Sequence, residues 1–360
     1  MTDVLTRTAP RAKTSPDSSA EKATRKKTIT GVLVLPLFLL IALPALFLGL
    51  LHSPAPNDMK VAVIGSSESA DPLIGSLENQ SGDSFEISRV DTVDDARTQV
   101  RELDIRGAYD PSTGTIYVGS ADGFAAKNVV VTLFTSVAGA SGVTASVDDV
   151  LPLDEGDPMG TTAMYLGIGA ILAGMLAGLI LGLFPTSSKV RAIGVIAVPV
   201  VAATIEVLYG WAMFDILPGN GFGPGLMIFA LSFVTAVVTL GGVLVIGPAM
   251  LIVSILLLVL LGITTSGLPL PLDMAPGFYQ AMHHVLPTSQ GLEALRRLIY
   301  VDDYNPGWAI LTMGIWAVVG AALVVWGTFR AQRKSAAALA PSVSADADVR
   351  SARRDVRATV

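Results

Sequence analysis

Two histidines stand side by side at His283 and His284. Carboxylates pair at Asp94-Asp95 and Asp148-Asp149, and one acid, Glu206, sits inside a long apolar run. These are the side chains whose types and spacing could support metal binding or acid–base chemistry. None of the spacings completes a site. Neighbours on a helix or strand point in different directions, so neither aspartate pair converges on one reacting atom. The histidines diverge for the same reason, and no acid or cysteine completes a metal shell around them. The chain has no cysteine, which excludes disulfides, thiolate metal sites and cysteine nucleophiles. The segment carrying the aspartates has no histidine, no Gly-x-Ser-x-Gly and no His-Glu-x-x-His. Its carboxylates read as a solvated acidic surface, and no catalytic residue and no metal ligand is expected.

Inside the apolar runs, two features are informative. Glu206 is the one ionisable residue well within a span, and an ionised carboxylate there costs several kcal/mol unless it faces a cavity or a partner. No Lys or Arg lies within a span to pair with it. It is a candidate for a pathway or gating role, against the plainer reading of a protonated or Ser/Thr/Tyr-bonded packing residue. Ala170, Gly174, Gly178 and Gly182 recur every four residues, placing a stripe of small residues on one helical face. Such a stripe lets backbones approach closely in lipid. It suits a subunit interface, a moving seam, or tight packing within one chain.

The elements that carry these residues follow from composition. Half of the 360 residues are apolar and only 15% are charged, at a mean hydropathy of +0.60, against about 25% charged in an average soluble domain. A hydrocarbon core of about 30 Å needs about 20 apolar residues in a helix. Runs of that kind cover Val32–Leu51, Met164–Phe184, Ile193–Phe214, Gly225–Ile263 and Ala309–Trp326. The fourth is about twice a span and contains Gly241, Gly242, Gly247 and Pro248, so it is expected to be two spans joined by a tight turn. Seven Lys/Arg lie in residues 1–30 and seven in residues 330–360, whereas residues 52–158 hold six against eighteen Asp/Glu. Basic segments stay in the cytoplasm, so both tails are expected inside, which requires an even number of spans. The expected fold is an α-helical integral membrane protein of the cell membrane. It has six transmembrane helices and a small extracytoplasmic α/β domain between helices 1 and 2. The boundaries are a basic tail (1–30), helix 1 (31–51), the domain (52–160) and helices 2–5 (161–264). External re-entrant or interfacial half-helices (265–307), helix 6 (308–328) and a tail (329–360) complete it. Span one reads as an uncleaved anchor, and the Ser/Ala-rich residues 1–24 and 335–360 as disordered tails meeting anionic lipid.

Within the domain, the pattern predicts β-α-β-α-β-β-α. Its first helix is expected to be capped by Asp71 with Pro72 at its first position. Its second carries Ala96, Val100 and Leu103 on one face, and "GAYDPSTGTIYVGS" forms a hairpin. Between the fifth and sixth spans, Pro276 opens one short amphipathic helix. Pro287 breaks it, and Thr288 or Ser289 is expected to cap a second. There Leu292, Leu295 and Ile299 share one face while Glu293, Arg296 and Arg297 face away, with Glu293 and Arg297 at i,i+4. Pro287, Arg296 and Arg297 are candidate gating residues. Two arginines held outside against the charge bias suggest a local partner, lipid phosphate or the acidic domain, with simple snorkelling as the plainer alternative.

Ser266-Gly267, Pro269, Pro271, Pro276, Phe278, Gln280-Ala281, Leu286-Pro287 and Leu295-Arg296, with the domain segment "DDARTQVRELDIRGAYDPSTG", resemble the YhgE/Pip-like (phage-infection-protein) branch of type-2 ABC exporter permeases. The chain departs in having Leu268 where the family often has a second glycine, and in a domain much shorter than in the large phage-infection members. The resemblance implies a transport subunit driven by a separate ATP-binding subunit, working as a homodimer or as a heterodimer with a similar permease. The sequence itself has no Gly-Lys, hence no Walker loop. No cofactor is expected in this chain, and ATP would sit on the partner. The Phe184–Ile193 link, with Lys189 and Arg191, is a candidate ATPase-coupling surface. Membrane lipid is an expected partner and nucleic acid is not. The spans show no charged ring or aromatic cage, which favours an apolar or amphipathic cargo. The alternative is a non-transporting scaffold or receptor whose domain binds cell-envelope partners.

Overall fold

The computed structural model describes the backbone of residues 18–358 except 218, 220 and 303, and the side chains of residues 33–333 among these. The basic residues Arg7, Arg11 and Lys13 lie outside the described residues. Among the described residues, five helices are long and apolar enough to cross a membrane: Leu33–Leu51, Thr162–Leu183, Ser188–Met213, Phe222–Thr264 and Gly307–Arg333. The chain is therefore an α-helical membrane protein. Two compact units divide it, residues 1–45 and 46–360.

The first unit holds most of α1 (Ser18–Leu51), whose spanning part turns almost every side chain outward, as a helix bathed in lipid does. The second unit begins with the sheet domain. Its elements are β1 (Met59–Ile64), α2 (Ser67–Ser81), β2 (Phe85–Val90), α3 (Val93–Arg101), β3 (Gly107–Asp110), β4 (Thr115–Val118), α4 (Phe124–Ala140) and β5 (Ser146–Asp149). The strands lie in the order β2-β1-β3-β4-β5, parallel except for the β3–β4 hairpin. Strand alternation sorts the core into two layers. Val61 and Val63 face α2 and α4, with Tyr109 stacked on Phe134 at 5.3 Å, whereas Ala62 and Ile64 face α3 through Ala96 and Val100. Leu270, Met274, Ala275 and Tyr279 complete the first of these cores, so the sheet domain shares apolar packing with the segment before the last long helix.

Several local expectations are corrected. β5 was not expected; its four residues are polar at both ends and carry no run of β-branched side chains. The first helix begins at Ser67 after Ser66, which leaves Asp71 and Pro72 inside it. Pro72, sixth in this helix, gives no N–H to the Glu68 carbonyl, so the helix forgoes that one bond. α3 ends at Arg101, with Thr92 accepting from the Asp95 N–H as its cap. Leu103 follows in a left-handed conformation (φ 61°), buried but off the helix. The Asp148-Asp149 pair is not simply solvated: Asp148 meets Arg97 at 2.5 Å and Asp149 meets Lys127 at 3.0 Å.

The bundle comprises α5 (Thr162–Leu183), α6 (Ser188–Val207, continuing as a π-helical turn to Met213), α7 (Phe222–Ile246) and α12 (Gly307–Ala358). Helical backbone in α12 continues through the stretch expected to be disordered, which is rich in the strong helix formers Ala and Arg. Matching positions rise together along α5 and α7, with Gly174 at Ser232, Gly178 at Ala236 and Gly182 at Val243. They do so again along α7 and α12, with Val238 at Gly320 and Leu244 at Gly327. These three helices run in one direction. α6 runs opposite, with Gly194 beside Leu181 and Glu206 beside Gly169.

The stretch after α7 reverses at Gly247, whose φ of 68° and ψ of −146° suit glycine. It returns as α8 (Met250–Ser254), a π-helical segment (Ile255–Leu261) and the single turn α9 (Gly262–Thr264). Thr239 and Ser254 hydroxyls meet at 3.1 Å across this hairpin; a continuous helix would hold them about 22 Å apart.

Candidate coupling site between the sheet domain and the helix bundle

Two short helices, α10 (Gly277–His283) and α11 (Pro287–Tyr300), follow the return leg. Pro287 occupies the first helical position of α11, where a missing N–H costs nothing. Thr288 and Ser289, of which one was expected to be the cap, instead lie buried inside the helix. The Ser289 hydroxyl bonds Thr265, and Thr288 sits over Gly262. α11 packs into the bundle: Leu292 enters the space left by Gly167 on α5, and Gly291 lets Leu231 of α7 approach.

The charged face of α11 is turned to protein, not to solvent. Arg296 is only 8% exposed; its Nη1 donates to the Asp122 carbonyl at 2.9 Å, and Nη2 lies 3.8 Å from the Asp122 carboxylate. Asp122, 3% exposed, also accepts from Arg106 at 2.5 Å, and Arg106 reaches back at 2.6 Å to Asp273. Arg106 and Asp122 flank the β3–β4 hairpin. Asp273 belongs to the segment before α10, and its carbonyl also accepts from the Asn57 N–H at 2.8 Å. On the neighbouring turn, Glu293 meets Arg297 and His283, each at 2.9 Å, and His283 Nδ1 lies 2.8 Å from the Thr265 carbonyl. Three guanidinium groups thus oppose three carboxylates across the junction.

The balance of charge explains how such a cluster survives burial, since an unpaired buried ion costs several kcal/mol. Burial alone would push Glu293 up, but the His283 hydrogen bond and the Arg297 charge outweigh it and hold the carboxyl well below the usual range. Burial pushes Arg106 down, and Asp122 and Asp273 more than reverse this. For Arg296 burial wins, and its affinity for the proton falls despite Asp122 and Glu293. Asp122 Oδ2, Asp273 Oδ1 and Arg296 Nε are buried without a hydrogen-bond partner among the described residues. The cluster is thus matched in charge but not saturated in hydrogen bonds. A second tie lies nearby. Asp157 accepts from the N–H groups of Thr161 and Thr162 at the start of α5, and from the Tyr300 hydroxyl at the end of α11. Burial and that carboxylate push the Tyr300 phenol up.

The other singled-out residues lie apart from this cluster. Glu206 faces α5 over the bare backbone of Gly169, half-buried, with no basic side chain in ion-pair range and no hydroxyl bonded to it among the described residues. Ala170, Gly174, Gly178 and Gly182 pack on α7 of the same chain; a Cβ at Gly174 would stand 2.0 Å from the Ser232 carbonyl. Lys189 and Arg191 open α6, where Arg191 Nε donates to the Leu181 carbonyl and to Thr186. Pro287 separates α10 from α11. Among the described residues no group of three His, Cys, Asp or Glu could hold a metal, and the arrangement contains no activated nucleophile. What it can do is transmit a shift between the sheet domain and α11. Arg106, Asp122 and Asp273 were missed from sequence. The one available signal was that Arg106 is among only six basic residues in an acidic domain. Comparison with protein-family models, with curated proteins and with solved structures found no match to this chain.

Proposed function

We propose that the chain is the membrane-spanning permease subunit of an ABC-type exporter, moving an apolar or amphipathic substrate outward with energy from a separate ATPase. The carrying observation is the ion-paired junction at Arg106, Asp122, Asp273 and Arg296. It joins a soluble domain to α11, an amphipathic helix seated inside the bundle. Two arrangements of such a junction can differ by only a few kcal/mol, as coupling between sites requires. Counting the legs on either side of Gly247 separately makes six crossings and sets both termini on one side, and the basic tails favour the cytoplasm for them, with the sheet domain outside. The return leg Met250–Thr264 spans about 22 Å at 1.5 Å per residue. The shared direction of α7 and α12 supports counting it as a crossing.

Dimerisation through the small-residue stripe is not part of this reading, since α7 already occupies it. The alternative of a non-transporting scaffold draws support from Phe124, 79% exposed at the start of α4, a large apolar side chain suited to an envelope partner. Purification from native membranes in mild detergent separates the two. The exporter reading expects an ATPase to co-purify, and deletion of the gene to raise sensitivity to amphipathic drugs or alter envelope lipid. Absence of both overturns it.

A further inference from the structure

An apolar cleft of about 390 Å³ runs between α6, α7 and α12, walled by Val195, Ile196, Phe233, Val237, Leu240 and Val324. Its polar contributors gather at one end, where Ser188, Arg191 and Thr328 stand. That end is the start of α6 and, by the shared direction of α5, α7 and α12, also the end of those three helices. Lys189 beside Arg191, and Arg330 and Arg333 just beyond Thr328, are exposed there. None of these four bases is paired with a carboxylate among the described residues. No Asp or Glu occurs from Thr162 to Ile205 or from Ile216 to Leu272. Arg191 is held by its Nε, on the Leu181 carbonyl at 3.2 Å and Thr186 at 3.1 Å. That leaves its two terminal nitrogens, the pair suited to a bidentate oxyanion.

From this geometry we infer that the cleft is a binding site for an anionic phospholipid. The headgroup phosphate lies on Arg191 and the surrounding bases, and one acyl chain lies along the apolar walls. The chemistry divides the work between the two parts. A lipid tail gains little by leaving other tails for an apolar groove, since both surroundings are equally apolar. Selection therefore falls on the headgroup, where several unneutralised bases meet one phosphate and a net negative charge.

The test uses the full chain in detergent, stripped of lipid and offered dioleoyl phosphatidylglycerol or dioleoyl phosphatidylcholine at equal concentration. Bound lipid is counted by native mass spectrometry. Retention of the anionic lipid is expected to exceed that of the zwitterionic one at least about five-fold, and Arg191→Gln to bring the two within about two-fold. Ala321→Trp, which fills the cleft without touching a base, is expected to remove most of the bound anionic lipid. It carries the test alone should Arg191→Gln fail to fold. Equal retention of both lipids by the unaltered protein overturns the inference. So does unchanged retention in Ala321→Trp, or displacement of the lipid by millimolar inorganic phosphate, which would mark a site for the free anion.

Discussion

Arg296 is the residue on which the junction turns, because it is the one α11 base that reaches the sheet domain. Removing its charge leaves Asp122 with Arg106 alone and opens a buried polar gap. Arg296→Gln is expected to destabilise the protein by on the order of 3–5 kcal/mol, the cost of breaking a buried pair from one side. Asp122→Asn in the same chain should recover part of that loss. The double variant is then less destabilised than the two singles added together, with a coupling of about 1–3 kcal/mol, read from unfolding in detergent. Additive losses would mean the two side chains act separately. Glu293 makes a second, pH-dependent contribution. Its folded-state carboxyl lies below the ordinary glutamate value of about 4.3. Its stabilisation is therefore complete above that value and is lost as pH falls below it, while the unfolded chain takes up the proton first. Unfolding midpoints measured from pH 6 down to pH 3 should fall more steeply for the natural chain than for Glu293→Gln. Parallel curves would assign the acid sensitivity to other carboxylates.

At the scale of elements, the close approach of α5 to α7 depends on missing side chains. A Cβ at Gly174 would lie 2.2 Å from the Thr235 hydroxyl as well as against the Ser232 carbonyl, backbone that cannot swing aside. Gly174→Ala should therefore lower the unfolding temperature despite alanine's better helix propensity. Gly75→Ala in α2, where nothing lies within 4 Å, should raise stability by about 0.5–1 kcal/mol. If both substitutions stabilise, the α5–α7 contact is looser than its geometry says. The four-residue spacing of Ala170, Gly174, Gly178 and Gly182 was legible because period and residue size carry the signal by themselves. So were the long helices, the hairpin and the first four strands. β5 was not, because a short strand added to an existing edge needs little pattern of its own. The helix caps failed for a related reason: Asp71, Thr288 and Ser289 are good caps in isolation, but packing set where the helices begin. Burial of the charged face of α11 was illegible too, because i,i+4 spacing shows which residues share a face and not what covers it. Arg106 and Asp122, sixteen residues apart, meet only once the β3–β4 hairpin has formed.

For the whole molecule the open quantity is the number of crossings, and it rests on whether both legs around the Gly247 reversal cross. The charge distribution argues for an even number, while the turn itself has no charge to vote with. Geometry adds an independent argument: α5, α7 and α12 run together, so the reversal belongs at the same end as the Pro185 link between α5 and α6. The chain has no cysteine, so single cysteines can be read without background. Glu78→Cys on α2, Pro185→Cys in the link and Ala249→Cys at the reversal all replace exposed residues. A membrane-impermeant maleimide applied to intact cells is expected to label Glu78→Cys alone. Permeabilising the cells should add Pro185→Cys and Ala249→Cys together. Labelling of Ala249→Cys from outside would mean that neither α7 nor the return leg crosses, which leaves four spans with both termini still on one side. Labelling of Glu78→Cys only after permeabilisation would invert the whole arrangement, carrying the sheet domain and the Asp122–Arg296 junction to the cytoplasmic side.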